Sequence, residues 1–377
     1  RNALPFSVLR KVGNLTYDGE KIMDRYDPSN PSIKWQRQEN RNIGFDASLF
    51  NNRVNLVVNY YNNDTRNLLD EKKIAASTGR LAVTANVASV NNKGWEISLR
   101  TLNIRTDDFS WVTSVNFTKN KDKVTETYYQ DLSEISASTN STFESLYSLY
   151  IQGQPVRAFY GYKFAGVDPY TGNTLAYVDG FDDDGNRLGM LNAEGKYVYN
   201  MDNDLTVQLA NASRSYLGRS DPPITGGFTT QFNYKRFSLF AQFTYMTGHL
   251  ARSFQYYSGG TAYAAAKNVL KIEANRWRKP GDLTDIPRYD TGRTEYLYQL
   301  FDFRFEKGDY LKCNNISLGY NLEQSICDKL HITRARLNFN MANVFTLTKF
   351  RGIDPETKGA FTYPSARSYT FSLSIGI

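Results

Sequence analysis

Ser368-Tyr369-Thr370-Phe371-Ser372-Leu373-Ser374-Ile375-Gly376-Ile377 alternates two kinds of side chain from end to end. Tyr369, Phe371, Leu373, Ile375 and Ile377 are apolar, whereas the residues between them are small or polar. Successive side chains of a strand point to opposite faces, so the stretch predicts a β-strand with one apolar face and one polar face. The same period recurs upstream. Leu337, Phe339 and Met341 oppose Arg336, Asn338 and Asn340, and Ile224, Phe228, Phe232 and Tyr234 oppose Thr225, Thr229, Gln231 and Asn233. After a tight turn at Lys235-Arg236 the pattern resumes with Phe237, Leu239, Phe243 and Tyr245. Further strands are predicted at 33–50, 53–67, 88–104, 108–122 and 308–321, with weaker ones at 157–167, 173–179 and 4–13.

Strand length separates a soluble sandwich from a membrane barrel. Many of these strands run to roughly 12 residues, against about 5–6 in soluble sheets and about 9–11 for a tilted barrel strand. The connections alternate between short and long. Asn51-Asn52, 105–107, 168–172 and Lys235-Arg236 are short, and 322–330 is intermediate. The long ones are 68–87, 123–156, 180–221, 248–307 and 347–365. A barrel sorts short turns to one rim and long loops to the other. Counting the weak pair 157–167 and 173–179 in the sheet, this gives eleven strands, or twelve with 4–13.

Composition agrees. The 377 residues include 4 Trp, 27 Tyr, 23 Phe and 34 Asn, with 41% hydrophobic residues. That is too aromatic for a disordered chain and too polar for a helical membrane protein. No apolar run approaches the roughly 18 residues of a transmembrane helix. Trp and Tyr near strand ends fit interfacial girdles, although a sandwich core also uses aromatics. The fold class is therefore all-β: an antiparallel transmembrane β-barrel portion with apolar faces toward outer-membrane lipid. A net charge of +7 would suit nucleic acid. The basic residues are scattered, however, and 125–221 holds 6 basic against 13 acidic, so no nucleic-acid partner is expected. His249 and His331 are the only histidines, which leaves little room for His-based catalysis. Cys313 is placed on the polar face of its strand and Cys327 in the following turn, too far apart in extended chain for a disulfide.

Specific segments then become informative. Asn86-Val-Ala-Ser-Val-Asn-Asn-Lys-Gly-Trp-Glu-Ile97 resembles a recurring segment of the SusC/RagA-type TonB-dependent outer-membrane transporters of Bacteroidota. So do Arg157-Ala-Phe-Tyr-Gly-Tyr162, Tyr216–Phe228, Ala342–Phe350 with Gly352–Glu356, Tyr363-Pro364 and Leu4–Leu9. The resemblance implies a barrel of about 22 strands with a plugged lumen. Neither a plug nor a TonB-contacting segment is found here. The chain thus looks like the C-terminal half of such a barrel, with 1–377 its C-terminal part. The opening residues, Arg1-Asn-Ala-Leu-Pro-Phe6, have no signal-peptide character and suit a mature or internal piece. Ile377 stands where outer-membrane proteins commonly end in an aromatic. By resemblance the function is TonB-dependent nutrient import of oligosaccharides or peptides, without enzymatic chemistry. Its partners would be a SusD-like surface lipoprotein, the upstream half of the barrel with its plug, and TonB acting through the plug. A passive porin, or a soluble all-β carbohydrate-binding protein or glycosidase, remains as an alternative.

Loop aromatics are the substrate-binding candidates: Tyr147, Tyr150, Tyr256, Tyr257, Tyr263, Trp277 and Tyr289. Rings stack on sugar faces and pack on peptides, and Tyr hydroxyls fix orientation. Packing of the loops against one another is the alternative. Arg276, Arg278 and Lys279 suit anionic groups or a solvated basic face. Phe181-Asp182-Asp183-Asp184-Gly185-Asn186 is similar to part of a calcium loop, with Asp182 and Asp184 as ligands. Gly180 and Leu191 fill the first and twelfth positions, so an acidic solvent loop is favoured and no cofactor is otherwise expected.

Overall fold

The computed structural model describes residues 8–17, 20–27, 30–73, 82–127, 151–178, 190–192, 195–201, 214–252, 271–288, 301–357 and 363–377. β1 (Val8–Tyr17) and β2 (Glu20–Asp27) pair as a separate hairpin. The next strands are β3 (Arg37–Leu49), β4 (Val54–Lys73), β5 (Ala82–Arg105) and β6 (Phe109–Thr127). An insertion follows with β7 (Ala158–Tyr162), β8 (Phe164–Val167), β9 (Thr174–Tyr177), β10 (Met190–Leu191), β11 (Tyr197–Met201) and β12 (Arg214–Arg219). Then come β13 (Ile224–Tyr234), β14 (Phe237–Thr247), β15 (Leu250–Arg252), β16 (Phe305–Lys307), β17 (Tyr310–Asn321), β18 (Arg334–Thr348) and β19 (Ser368–Gly376). Nine of them form one antiparallel sheet in the order β19-β18-β17-β14-β13-β6-β5-β4-β3. Among the described residues its two edges, β3 and β19, do not pair with each other.

Residues directly opposite in an antiparallel pair share a face. The register aligns Phe45, Val58, Ile97 and Phe117 across four strands, and Leu239, Leu318, Phe339 and Phe371 across four others. Val115, Phe228 and Phe243 continue the band between them. This belt is the exposed surface of the sheet: Phe371 is 80% exposed and Ile43 74%. Aromatic pairs reinforce it, with Phe237 against Tyr320 at 4.8 Å and Phe339 against Phe371 at 4.7 Å. The opposite face carries polar cross-strand links, including Tyr61 Oη to Asn120 Oδ1 at 2.8 Å and Ser98 Oγ to Asn116 Oδ1 at 3.0 Å. Gly94 is required there, because a Cβ would lie 2.5 Å from the Tyr61 hydroxyl.

Several details differ from the sequence expectation. The pair 157–167 and 173–179 is not in the sheet, because β6 pairs directly with β13 from Phe109–Tyr234 to Lys119–Ile224. Those residues form β7, β8 and β9, only 5, 4 and 4 residues long. Each is too short to cross a bilayer. The turn at 168–172 therefore lies within a long-loop insertion rather than on the short-turn rim. Nine sheet strands and the β1–β2 hairpin make eleven, but β2 had no sequence signal strong enough to be read. The connection at 68–87 is largely strand, since β4 reaches Lys73 and β5 begins at Ala82. The connection at 322–330 contains a short helix, α1 (Gln324–Lys329), which buries Cys327. Cys313 lies on the apolar face, opposite Phe243 and Phe345, and not on the polar one. Relative to β14, a bulge between Cys313 and Asn315 inserts one residue and reverses the phase of the strand on either side of it. Both thiols are buried and free.

The short connections close one rim. Leu102 N donates to Arg53 O (2.7 Å), Lys235 N to Asp108 O (2.7 Å) and Asn321 N to Arg236 O (3.0 Å), so neighbouring turns are joined by backbone bonds. Arg236 and Glu323 add an exposed ion pair at 3.0 Å. The strands bounding 128–223 and 248–309 open onto the other rim. There the largely buried Arg219–Asp122 pair ties β12 to β6, and Lys312–Glu356 ties the segment after β18 to β17.

Two outcomes follow from this arrangement. Val115→Lys, in the middle of the apolar belt, is expected to cost about 2–4 kcal/mol of unfolding free energy in lipid vesicles, with Asn116→Lys on the inner face costing far less. Equal losses in denaturant titrations would contradict the assignment of faces. On intact cells a membrane-impermeant maleimide should label Lys279→Cys on the long-loop rim and spare Asp108→Cys until the envelope is opened.

Candidate functional site

The core of the molecule sits on the long-loop rim, where the two insertions fold against each other. β7 pairs with β12, β15 with β16, and Tyr162 bridges to Phe301. Phe301-Asp302-Phe303-Arg304-Phe305 sends its rings to β7 and β8. Phe159 meets Phe305 at 4.4 Å, Phe164 meets Phe303 edge-on at 5.0 Å, and Phe301 stacks on Phe303 at 5.7 Å. Asp302 anchors the two pieces by accepting the Phe164 N–H at 3.0 Å. Burial raises its pKa, against the lowering effects of that bond and of the nearby Lys163.

Above this aromatic ridge the segment 271–288 is closed by its own side chains. Asp282 Oδ2 accepts the backbone N–H groups of Arg278 (3.0 Å) and Lys279 (3.1 Å), and Trp277 N donates to Ile286 O at 2.9 Å. Trp277 then docks the segment on the 168–172 turn. Its indole N–H donates to Pro169 O at 2.9 Å, while Gly281 N reaches the same carbonyl and Arg288 N reaches Gly172 O. Gly172 has φ +74°, and a Cβ there would lie 2.4 Å from the indole ring. No residue other than glycine fits both demands.

Between the docked segment and the ridge lies an open cleft of about 980 Å³, with Phe164, Phe303 and Phe305 on one side and Arg276, Arg278, Asp285 and Leu283 on the other. A smaller space of about 630 Å³ lies across the same ridge and adds Lys163, Tyr216 and Leu250. Some of the cleft charge is already used. Arg351 Nε contacts Glu306 Oε2 at 3.2 Å, and the Arg278 guanidinium donates to Ala274 O at 2.8 Å. What the cleft offers is a set of flat apolar rings facing guanidinium and carboxylate groups, which suits a ligand with apolar faces and polar edges. Among the described residues no group of His, Cys, Asp and Glu is placed to hold a metal.

Of the sequence candidates, Trp277 is half-buried and holds two loops together, and Arg276 and Arg278 line the cleft, whereas exposed Lys279 does not. Tyr147, Tyr150, Tyr256, Tyr257, Tyr263 and Tyr289 lie outside the described residues, as do Asp182 and Asp184. The ridge was missed, although the Phe-x-Phe-x-Phe alternation at 301–305 was a readable signal.

A sheet with an apolar outward belt, a polar inner face and all its long loops on one rim is the wall of an outer-membrane β-barrel. The comparisons make this specific. Residues 13–171 match the family described as TonB dependent receptor-like, beta-barrel. The chain is 26% identical to TonB-dependent receptor P3 of Formosa agariphila over 98% of its own length and 36% of that protein. It is 24% identical to TonB-dependent receptor SusC of Bacteroides thetaiotaomicron over 92% of itself and 32% of that relative. A solved structure of the RagAB peptide importer in its 'closed-closed' state aligns with TM-score 0.71 and 26% identity, covering 98% of this chain and 38% of that one. Residues 13–171 thus match a TonB-dependent receptor-like β-barrel, the chain as a whole is similar to SusC and to the RagAB importer, and it spans about a third of the length of these relatives.

Gly172→Ala is expected to cost more than about 1 kcal/mol locally, because it adds strain at positive φ and displaces the indole. Faster proteolysis within 271–288 and a shifted Trp emission would report it. Asp302 supplies a pH test. A raised folded pKa means stability fully present below the ordinary Asp value of about 3.9 and lost as pH rises through the folded value. Asp302→Asn, which still accepts the Phe164 N–H, should therefore be the more stable form at neutral pH, with the difference vanishing in acid.

Proposed function

We propose that this chain forms part of the barrel wall and part of the external mouth of an energised nutrient importer, taking up oligosaccharides or peptides. The observation carrying this reading is the cleft between the aromatic ridge and the 271–288 segment, opening on the rim that bears every long connection. The match of residues 13–171 to the TonB-dependent receptor-like barrel supports TonB as the energy source, and the RagAB match supports peptides as one substrate class. In this reading a SusD-like lipoprotein covers the mouth, and TonB acts through a plug supplied by the rest of the relatives' length. The remaining strands of the ring then pair with β3 and β19, because unpaired backbone groups in hydrocarbon cost several kcal/mol each. The loop tyrosines named above and Trp277 are the further contacts of this mouth. Asp182 and Asp184 are a calcium position only if loop 180–191 recruits other ligands.

The test uses the full-length protein in cells that depend on it for an oligosaccharide or oligopeptide nutrient. Uptake should stop when the proton gradient is collapsed, and the double change Arg276→Ala/Arg278→Ala should lower uptake several-fold while surface abundance is unchanged. Uptake that survives loss of the gradient would favour the passive porin instead.

A further inference from the structure

The outward belt is not uniform. Between β13 and β19 its side chains part to leave a trough of about 600 Å³, walled by Tyr234, Phe237 and Tyr320 on one side and Phe339 and Phe371 on the other, with Leu318 between them. It sits next to the short-turn rim, since Tyr234 and Phe237 flank the Lys235-Arg236 turn and face Phe109 and Tyr320 across the ladder. At that end a cation marks it. Lys235 adopts φ +50° and holds its ammonium 5.7 Å from the centre of the Tyr234 ring. Its acidic neighbour Asp108 is 3.9 Å away, with both side chains more than half exposed, so the pair is screened and the ammonium stays available.

We propose that this trough is a binding site for an anionic phospholipid, with an acyl chain lying in the trough and the phosphate at Lys235. The reading rests on the outer-membrane placement of the sheet and is independent of the import reading. Two observations select a lipid over a protein. Helix or sheet partners inside a bilayer gain nothing from apolar contact alone and associate through small residues that let backbones approach; here large rings hold a neighbour away. An exposed ammonium at the water-facing end of an apolar channel also complements one headgroup with its chain.

The experiment uses the full-length protein, delipidated in detergent and offered phosphatidylglycerol or phosphatidylethanolamine, with retained lipid read by native mass spectrometry. Retention of phosphatidylglycerol should exceed that of phosphatidylethanolamine by about five-fold, the worth of one lysine at an anionic surface. Lys235→Asn keeps the left-handed turn and should erase that preference. Leu318→Trp fills the trough and should lower retention of both lipids, while Leu56→Trp, on the same belt outside the trough, should leave retention unchanged. Because Leu318→Trp alters packing, Lys235→Asn carries the test by itself. Equal retention of the two lipids by the native protein, or an unaltered preference in Lys235→Asn, would overturn the proposal. So would displacement by inorganic phosphate alone, or cross-linking of a second copy through position 318.

Discussion

In hydrocarbon a backbone amide has no water to fall back on, so each strand must find its hydrogen-bond partners in its neighbours. That requirement organises this chain. It explains why β3 to β6, β13, β14 and β17 to β19 join one uninterrupted ladder although 96 residues separate Thr127 from Ile224. It also explains why irregularities take the form of bulges, such as Cys313/Asn315 and Leu102/Ile104, which bend a strand without ending its pairing. With the ladder fixed, the two faces take opposite chemistries: apolar rings outward, Asn, Ser, Thr and Tyr hydroxyl links inward.

Most of the sheet was legible because period-two alternation is a backbone property written directly in residue type. Ser368–Ile377 and Ile224–Tyr234 could be assigned to faces without any other information. The misplaced pair at 157–179 shows the limit of the method. Loop parity says nothing about those residues, because adding or removing a complete hairpin preserves the alternation of short and long connections. Cys313 shows a second limit: one extra residue reverses every face beyond it, and nothing in the residue types marks where the bulge falls.

The candidate site was much less legible. Arg276, Arg278 and Trp277 stand out in the sequence by their chemistry, yet their placement depends on contacts with Pro169 and Gly172, more than 100 residues earlier. No local pattern encodes that docking. The aromatic ridge at 301–305 is encoded locally, as alternating phenylalanines at the end of a long connection that also carries many tyrosines. The result is a mouth built from two distant insertions whose only shared constraint is that both leave the ladder through one rim.

The contrast between the rims bears on how such a wall can change over generations. At Lys235-Arg236 two residues set the register of β13 on β14, so a one-residue insertion there would turn an oily face toward water along a whole strand. At 128–223 and 248–309 the ends are already fixed by the ladder, and lengthening the connection costs little beyond a slowly growing closure entropy. Insertions and deletions are therefore filtered by position: nearly forbidden on one side of the bilayer, cheap on the other. A lineage can exchange its external mouth wholesale, and with it the cargo it recognises, while inheriting the same membrane wall.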